Sequence, residues 1–288
     1  MNEQEMVTLN NGVLMPATGF GVFQVAPADT KALVISALHS GYRMIDTAQL
    51  YQNEAQVGQA IQASGIDRQD VFVTTKLWID HTGYDKTVAA VNHSLTTMGL
   101  AYIDLFLLHQ PYGDIFGSWQ ALADLQRQGK IRAIGVSNFA PDQLVNLVAN
   151  TAVVPQVNQI EVNPWHQNIE GDTWNQKYQV QTEAFASFAE GKNAIFAQPA
   201  LMAIAAKYGK TTGQVILRWL YQRHIVSLAK TSQPKRMTEN LAIFDFELDQ
   251  DDMAMILALD TKQSVFADAR NPQVVEMLNK VKLPLGNE

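Results

Sequence analysis

Four side chains that can support acid catalysis stand at the end of short apolar runs of the sequence or soon after them. Asp46 and Tyr51 follow one run, Lys76 ends the next, and His109 follows the apolar residues 105–108. A carbonyl group that accepts hydride gains negative charge on its oxygen, which must then be protonated. These four residue types together can deliver and stabilise that proton, so the pattern favours an enzyme that reduces carbonyl groups.

Each of the four residues has its own part in this hypothesis. A free tyrosine has a pKa of about 10 and donates its proton weakly at neutral pH. We expect Lys76 to lower the pKa of Tyr51, and Asp46 to keep the lysine charged. His109 can hydrogen-bond the carbonyl oxygen or help to move the proton. Each residue taken alone also fits a structural role: a turn or cap, a helix cover, a solvated lysine or a buried histidine.

This chemistry depends on elements that bring the ends of several strands to one place. Eight apolar runs are typical of strands: Thr18–Gly21, Arg43–Asp46, Val71–Lys76, Ile103–His109, Ile131–Ser137, Val154–Ile160, Val180–Phe185 and Ile225–Lys230. Helical periodicity fills the intervals, as in Asp29–Ser40, Asn53–Ala63, Asp85–Met98, Phe116–Gln128 and Pro141–Ala149. Eight strands with crossovers of this length predict an α/β fold, a closed (β/α)8 TIM barrel.

Additional elements are predicted at both ends of the barrel. The sequence Asn10-Asn11-Gly12 between two short apolar runs predicts an N-terminal β-hairpin. Two helices, Pro199–Tyr208 and Thr212–Gln222, precede the eighth strand, and Gln250–Leu259 after the N-cap Asp249 is predicted as the last helix. Because no linker or repeat interrupts the pattern, we predict one domain over residues 1–288, with extra C-terminal helices.

The motifs of an open doubly wound sheet are incomplete in this sequence. Such a sheet binds a dinucleotide at a turn with three spaced glycines, but the turn at Gly19-Phe20-Gly21 lacks the third one. The segment Gly135–Phe139 resembles a nucleophile elbow, yet Phe139 stands where the last glycine belongs. Both observations favour the barrel.

Composition narrows the classes of partner. The net charge of −7 disfavours binding to nucleic acid or to an anionic membrane surface. The absence of cysteine excludes disulfides and thiolate metal sites, and the six histidines are scattered, so no metal is expected. Residues 1–5 do not resemble a secretory signal, and no apolar run reaches the roughly 20 residues of a membrane span. We expect a cytoplasmic protein with a small-molecule carbonyl substrate, its oligomeric state open and a monomer favoured.

Six segments make the chain resemble the aldo-keto reductase superfamily over essentially its whole length. They are Gly19–Gly21, Gly41–Ala48, Tyr51–Glu54, Thr75–Trp78, Asp104–His109 and Ile134–Phe139. The chain is similar to the bacterial branch that includes diketogluconate reductases and small aldehyde reductases. The resemblance implies that Asp46, Tyr51, Lys76 and His109 form the catalytic tetrad of the family, without substitution.

The resemblance also implies NADPH as the cofactor. In the family, a Ser-Asn pair and a Gln hold the nicotinamide amide, an aromatic residue stacks on the nicotinamide ring, and the following loop wraps the pyrophosphate. The cofactor-binding positions implied here are Gly21, Val22, Ser137, Asn138, Gln159, Phe185, Ala186, Ser187, Phe188, Glu190, Lys230, Thr231, Ser232, Arg236, Glu239 and Asn240. The loop after Phe185 departs from the usual family sequence, which leaves its binding amides open.

A basic stretch near the C-terminus bears on the choice of cofactor. Lys230, Lys235 and Arg236 lie within seven residues of an otherwise acidic chain. We expect Lys230 and Arg236 to bind the 2′-phosphate that distinguishes NADPH from NADH. The alternative interpretation is a solvated basic loop.

The substrate pocket is predicted to be apolar and open. The resemblance implies Phe23, Trp78 and Gln110 as its walls, and the segment from Gln110 to Ser118 is short. We expect this side of the pocket to be low, and the substrates to be small aldehydes, dicarbonyls and compact ketones.

Three other functions are alternatives to carbonyl reduction. A barrel glycosidase uses two carboxylates, and Glu161 and Glu183 stand at adjacent strand ends, but such an enzyme has no use for the Tyr51–Lys76 pair. A metal-dependent hydrolase requires clustered metal ligands, whereas the six histidines of this sequence are scattered. A redox-sensing subunit that binds NADPH and regulates a partner stays open, although the intact tetrad argues against it.

Overall fold

The computed structural model describes residues 5–284, so residues 1–4 of the acidic N-terminal stretch and residues 285–288 lie outside the described residues. Strands β1 (Met6–Thr8) and β2 (Leu14–Pro16) pair antiparallel and form the predicted hairpin. Eight further strands follow: β3 (Thr18–Gly21), β4 (Met44–Asp46), β5 (Phe72–Leu77), β6 (Ile103–Leu108), β7 (Ile131–Ser137), β8 (Val157–Glu161), β9 (Gln181–Phe185) and β10 (Val226–Ala229). All eight predicted barrel strands are present.

The eight strands form a closed parallel barrel. Each strand pairs with the next in chain order, and β10 pairs with both β9 and β3, which closes the ring. The chain therefore has the predicted (β/α)8 TIM barrel with an N-terminal hairpin. The sixth barrel strand, β8, begins at Val157 rather than at the predicted Val154. Pro155 explains the difference, because proline has no N–H to donate to a neighbouring strand.

Helices separate the strands and cover the barrel. They are α1 (Pro27–His39), α2 (Glu54–Ala63), α3 (Tyr84–Met98), α4 (Ile115–Arg127), α5 (Pro141–Asn150), α6 (Ile169–Lys177), α7 (Pro199–Tyr208), α8 (Thr212–Gln222), α9 (Pro234–Leu241), α10 (Gln250–Leu257) and α11 (Pro272–Lys280). The predicted helices are confirmed, and α7 and α8 have the predicted bounds.

Three helices were not predicted. Helix α6 is mostly polar and has little apolar periodicity, and α9 begins at Pro234, within the stretch that the alternative interpretation treated as a basic loop. The prediction that α10 is the last helix is wrong, because α11 follows it. Helix α11 starts with an Asn271 cap and Pro272 at its first position, a combination that marks a helix start.

The barrel interior explains why one end carries polar side chains. The hairpin residues Leu9 and Met15 pack with Met44, Leu107 and Val157, and they fill the end of the barrel where the strands begin. Side chains two residues apart on a strand share a face. The residues two positions after Met44, Leu107 and Val157 therefore also point into the barrel, at the end where the strands terminate. Those residues are Asp46, His109 and Gln159. Within residues 5–284, no helix combines the length and the apolar character needed to cross a membrane.

Candidate active site

A cavity of about 1750 Å³ opens at the end of the barrel where the strands terminate. Most of the residues singled out from the sequence line it: Gly21, Phe23, Asp46, Tyr51, Trp78, His109, Gln110, Ser137, Asn138, Gln159, Phe185, Ala186, Ser187, Phe188, Glu190, Lys230, Thr231, Arg236, Glu239 and Asn240. Val22 is buried, Lys76 lies beneath the cavity floor, and Ser232 is exposed away from its wall. One contiguous site therefore contains nearly the whole predicted set.

A buried ion pair forms the floor of the cavity. The Lys76 Nζ donates to both carboxylate oxygens of Asp46, at 2.6 and 2.8 Å, and to the Thr47 carbonyl at 2.9 Å. Lys76 is fully buried and Asp46 is 3% exposed. Burial by itself would lower the pKa of Lys76, but the Asp46 carboxylate raises it above its ordinary value. The ammonium therefore stays charged, as the sequence predicted.

The Tyr51 hydroxyl lies directly above this pair. Tyr51 ends a single 3-10 turn, Gln49–Tyr51, and its hydroxyl is 3.5 Å from the Lys76 Nζ. Asn53 anchors the turn by accepting from the Thr47 hydroxyl at 2.6 Å and donating to the Val22 carbonyl at 3.2 Å. The chain between β4 and α2 thus fixes the hydroxyl over the ammonium.

The predicted fall in the pKa of Tyr51 is wrong for this structure. Burial raises the pKa of Tyr51 from 10.0 to about 12, and the charge of Lys76 offsets only part of this effect. Asp46 adds to the increase, because its negative charge next to the hydroxyl disfavours the phenolate. The prediction from the sequence took account of the Lys76 charge and not of the burial of the hydroxyl. Tyr51 consequently keeps its proton throughout the neutral pH range.

His109 faces the same space as a neutral imidazole. Burial holds the pKa of His109 well below its usual value, and the Lys76 cation lowers it further. Its ring contacts Tyr51 edge-on at 5.9 Å and Trp78 at 5.3 Å between centroids. The Nδ1 atom is buried without a hydrogen-bond partner among the described residues. A neutral imidazole in this place can donate one N–H bond to a group that enters the cavity.

Three polar side chains from β7 and β8 stand beside the tetrad. Asn138 has a left-handed backbone (φ 62°) and donates to the His109 carbonyl at 3.0 Å and to the Ser137 hydroxyl at 3.2 Å. The Gln159 Nε2 donates to Asp46 at 2.9 Å and to Glu183 at 2.8 Å. Because both amides use their hydrogens in this way, their carbonyl oxygens are the atoms left to accept from a ligand.

The two glutamates considered for a glycosidase are engaged elsewhere. Glu161 accepts from Asn163 at 3.0 Å, from the Val265 N–H at 3.0 Å and from the Ser264 hydroxyl. Glu183 is fully buried below the cavity wall, next to Gln159. Burial and the Asp46 charge raise the pKa of Glu183 to about 8. Neither arrangement leaves a pair of carboxylates facing one bound sugar.

The part of the cavity wall formed by the end of β10 and by α9 carries exposed cations. Lys230 follows β10 and donates to the Phe23 carbonyl at 2.8 Å, and Arg236 lies exposed on the first turns of α9. Lys235 is 3.6 Å from Glu239 and does not line the cavity. Helix α9 begins at Pro234, within the basic stretch, and it brings Arg236 to the cavity wall.

The segment after β9 has an unusual backbone. Ala186, Ala189 and Ala194 have φ values of 50°, 48° and 50°, in the left-handed region that alanine rarely adopts. Such strain persists where the surrounding structure holds it, and it is concentrated at ligand sites. Lys192 from this segment donates to the Val265 carbonyl at 2.7 Å, which connects it to the C-terminal segment across the cavity mouth.

The prediction of a low, open substrate wall is wrong. The loop after Gln110 is short, but the C-terminal segment supplies the missing wall with Ala267, Asp268, Ala269, Arg270, Val274, Met277 and Leu278. Trp78 and His81 hold the chain just beyond this wall by donating to the Val281 and Leu283 carbonyls, at 3.0 and 2.9 Å. These residues were not predicted from the sequence. The Asn271-Pro272 helix start could have revealed α11, but nothing in the sequence indicated where it packs.

Comparisons with known proteins agree over most of the chain. The Aldo/keto reductase family model matches residues 17–261. Morphine 6-dehydrogenase of Pseudomonas putida is 40% identical over 280 residues, 92% of this chain and 95% of that protein. Methylglyoxal reductase DkgA of Salmonella typhimurium is 37% identical over 263 residues, 90% of this chain and 95% of that protein. The crystal structure of a Bombyx mori aldo-keto reductase in complex with NADP is 33% identical, covers 93% of this chain and 97% of that chain, and has a TM-score of 0.89.

Proposed function

The chain belongs to the aldo-keto reductase family, a family of oxidoreductases, and we propose that it reduces aldehydes or ketones with NADPH, using Tyr51 as the proton donor. The observation that supports this proposal is the buried Lys76–Asp46 pair directly beneath the Tyr51 hydroxyl. An ammonium in that place stabilises negative charge that develops on the tyrosine oxygen as its proton leaves.

The residues beside the tetrad fit a nicotinamide group. The carbonyl oxygens of Asn138 and Gln159 are two acceptors suited to the N–H bonds of a carboxamide, and Phe185 offers an aromatic face on the same wall. When bound, this group supplies the hydride that the carbonyl carbon accepts. The chain's own residues then act on the carbonyl oxygen.

Proton delivery is assigned to three groups. Tyr51 donates its proton to the carbonyl oxygen as negative charge develops there, and Lys76 holds the phenolate that remains. His109, neutral because of its burial, donates a hydrogen bond that orients the carbonyl oxygen. Asp46 keeps the lysine charged and in place. Reprotonation of Tyr51 from solvent completes the cycle.

The proposed preference for NADPH rests on the exposed cations. The 2′-phosphate carries close to two negative charges, which an acidic protein repels in the absence of a local basic site. Arg236 and Lys230 line the same cavity as the tetrad, and an arginine can bind phosphate through two parallel hydrogen bonds. These two residues would hold the 2′-phosphate.

The substrate class is a small carbonyl compound. Phe23 and Trp78 give the cavity apolar walls beside Tyr51, and the C-terminal segment closes the side that would otherwise be open. An apolar wall discriminates weakly, because one methylene group is worth about 1–3 kcal/mol. We therefore propose broad activity toward aldehydes, dicarbonyls and compact ketones. The relatives named for methylglyoxal and for morphine suggest the two extremes of size to test.

The proposed function is tested by steady-state turnover. Purified protein is mixed with NADPH and, in turn, methylglyoxal, a simple aromatic aldehyde and a bulky polycyclic ketone, and loss of NADPH absorbance is followed. We expect turnover of the two small compounds and a much lower kcat/KM for the bulky ketone. Tight NADPH binding without turnover of any carbonyl would instead support a redox-sensing subunit. Absence of NADPH binding would contradict the proposal outright.

A further inference from the structure

Glu183 is a buried carboxyl group that the proposed chemistry does not use. It lies on β9, is fully buried, and points into the barrel toward the floor of the site. Its Oε2 accepts from the Gln159 Nε2 at 2.8 Å, and its Oε1 has no partner among the described residues. A buried carboxyl group in the middle of a barrel costs stability unless hydrogen bonds or a charged partner offset the cost.

Glu183 and Asp46 hold Gln159 from two sides. The same Nε2 atom donates to Asp46 on β4 and to Glu183 on β9, so each amide hydrogen has one acceptor. The two ends of a glutamine amide have nearly the same shape, and hydrogen bonds decide which end points where. Two carboxyl groups that both need a donor fix the nitrogen toward the barrel interior. The amide oxygen is then the group that Gln159 offers to the cavity it lines.

We propose that Glu183 is a positioning residue that, with Asp46, holds Gln159 so that its amide oxygen accepts a hydrogen bond from the nicotinamide carboxamide. This inference rests on the proposed function, because it assumes that a nicotinamide binds beside Gln159. Glu183 acts through Gln159 and touches neither cofactor nor substrate. Without Glu183, one buried N–H of Gln159 has no acceptor, and this loss favours rotation of the amide.

The geometry also explains why a glutamate can be tolerated here. Burial and the neighbouring Asp46 raise the pKa of Glu183 to about 8, so the group is neutral at pH 7. The charged and titratable groups around it are Asp46, Lys76 and Tyr51, which leaves one cation and one anion in balance when Glu183 is protonated. A neutral carboxyl still accepts a hydrogen bond from Gln159 through its carbonyl oxygen.

The test compares two variants and two ligands. Glu183→Gln keeps the volume and an acceptor, whereas Glu183→Met removes the acceptor and keeps a similar length. NADPH carries the nicotinamide, and adenosine 2′,5′-bisphosphate lacks it but shares the phosphate end. Dissociation constants of both ligands are measured at pH 7 for the wild type and the two variants.

We expect Glu183→Met to weaken NADPH binding about tenfold, the equivalent of one unpaired buried donor, and to leave the bisphosphate unchanged. Glu183→Gln should bind NADPH within about twofold of the wild type, since it retains the acceptor. In a Gln159→Leu background, Glu183→Met should have no further effect on NADPH, because the residue acts only through Gln159. If the methionine variant does not fold, Glu183→Val replaces it, since valine suits a strand and has no hydrogen-bond acceptor on its side chain.

Three results would overturn the inference: unchanged NADPH binding in Glu183→Met, an equal loss for both ligands, or an additive loss in the Gln159→Leu background. These results are distinct from a failure of the proposed function. In that case the wild-type protein itself would not bind NADPH.

Discussion

Two parts of the cavity are built differently. At the tetrad, Asp46 and Lys76 extend from barrel strands, are almost completely buried, and are bound by several hydrogen bonds each. In the part proposed to bind phosphate, Lys230 and Arg236 lie exposed just beyond β10 and on the short helix α9, and Lys230 donates one hydrogen bond, to the Phe23 carbonyl. The first part is fixed by the barrel, and the second is assembled from exposed side chains.

This difference separates two kinds of energetic contribution. A buried charge pair must be complete, because one partner left alone in the interior is strongly destabilising. An exposed cation is hydrated without its ligand, so its loss affects binding and hardly affects folding. We expect substitutions in the tetrad to change both the free energy of unfolding and the rate of turnover. Substitutions of Lys230 and Arg236 should change cofactor affinity alone.

The largest effect on folding is expected for Lys76→Met. This change leaves the buried Asp46 carboxylate without its cation and should lower the free energy of unfolding by about 3–5 kcal/mol. Lys230→Met is the matched control, because it removes the same ammonium from an exposed position and should change stability by less than about 0.5 kcal/mol. Urea unfolding of the three proteins measures both values. Similar stability of the two variants would contradict the proposed difference between the buried Lys76–Asp46 pair and the exposed Lys230.

A pH-dependent effect on stability is expected from Glu183. Its pKa is raised from 4.5 to about 8 in the folded chain, so between these values the folded state binds one more proton than the unfolded state. The free energy of unfolding should therefore fall as pH rises through this window and stay reduced above about pH 8. Glu183→Gln removes this loss, and its stability relative to the wild type should increase by a few kcal/mol from about pH 5 to pH 9.

The control for this prediction is Glu170→Gln, at an exposed position on α6. Its stability relative to the wild type should not change over the same pH range. Thermal unfolding at several pH values provides the measurement. A flat difference between Glu183→Gln and the wild type would mean that Glu183 is already ionised in the folded protein.

A smaller effect, confined to the cofactor, is expected for Arg236→Ala. Loss of one charged hydrogen bond to phosphate is worth about 1.5–3 kcal/mol, and solvent screening at this exposed site favours the lower part of that range. We expect NADPH binding to weaken about tenfold or more and NADH binding to stay almost unchanged, with the preference shrinking as salt increases. Fluorescence titration of both cofactors gives the constants, with Arg127→Ala as an exposed control on α4. Equal losses for NADPH and NADH would contradict the assignment.

The sequence was sufficient to place the tetrad for a physical reason. Apolar runs mark strands, strand ends meet at one side of a parallel barrel, and residues two apart share a face, so Asp46, Lys76 and His109 converge by geometry alone. The position of the turn that carries Tyr51 was also predictable, because the turn is short and soon follows the end of a strand.

Other features depended on packing that a single sequence does not record. The pKa of Tyr51 rises because burial outweighs the Lys76 charge, and burial is known only after the barrel closes. The substrate wall comes from residues 267–278, which are distant in sequence from Tyr51. The chain just beyond them is held by hydrogen bonds from Trp78 and His81 to the Val281 and Leu283 carbonyls. The inward direction of Glu183 follows from strand alternation, but its role depends on reaching Gln159.

The central claim is that Tyr51, held above the buried Lys76–Asp46 pair, donates the proton. The direct measurement is a single turnover of bound NADPH with methylglyoxal in the wild type and in Tyr51→Phe, together with the NADPH dissociation constant of each protein. Loss of a general acid typically lowers the rate by about 10²–10⁴-fold, and phenylalanine keeps the ring that packs against Phe23 and His109. We expect a rate loss in this range with NADPH affinity nearly unchanged. A variant that retained more than about a tenth of the wild-type rate would show that another group supplies the proton.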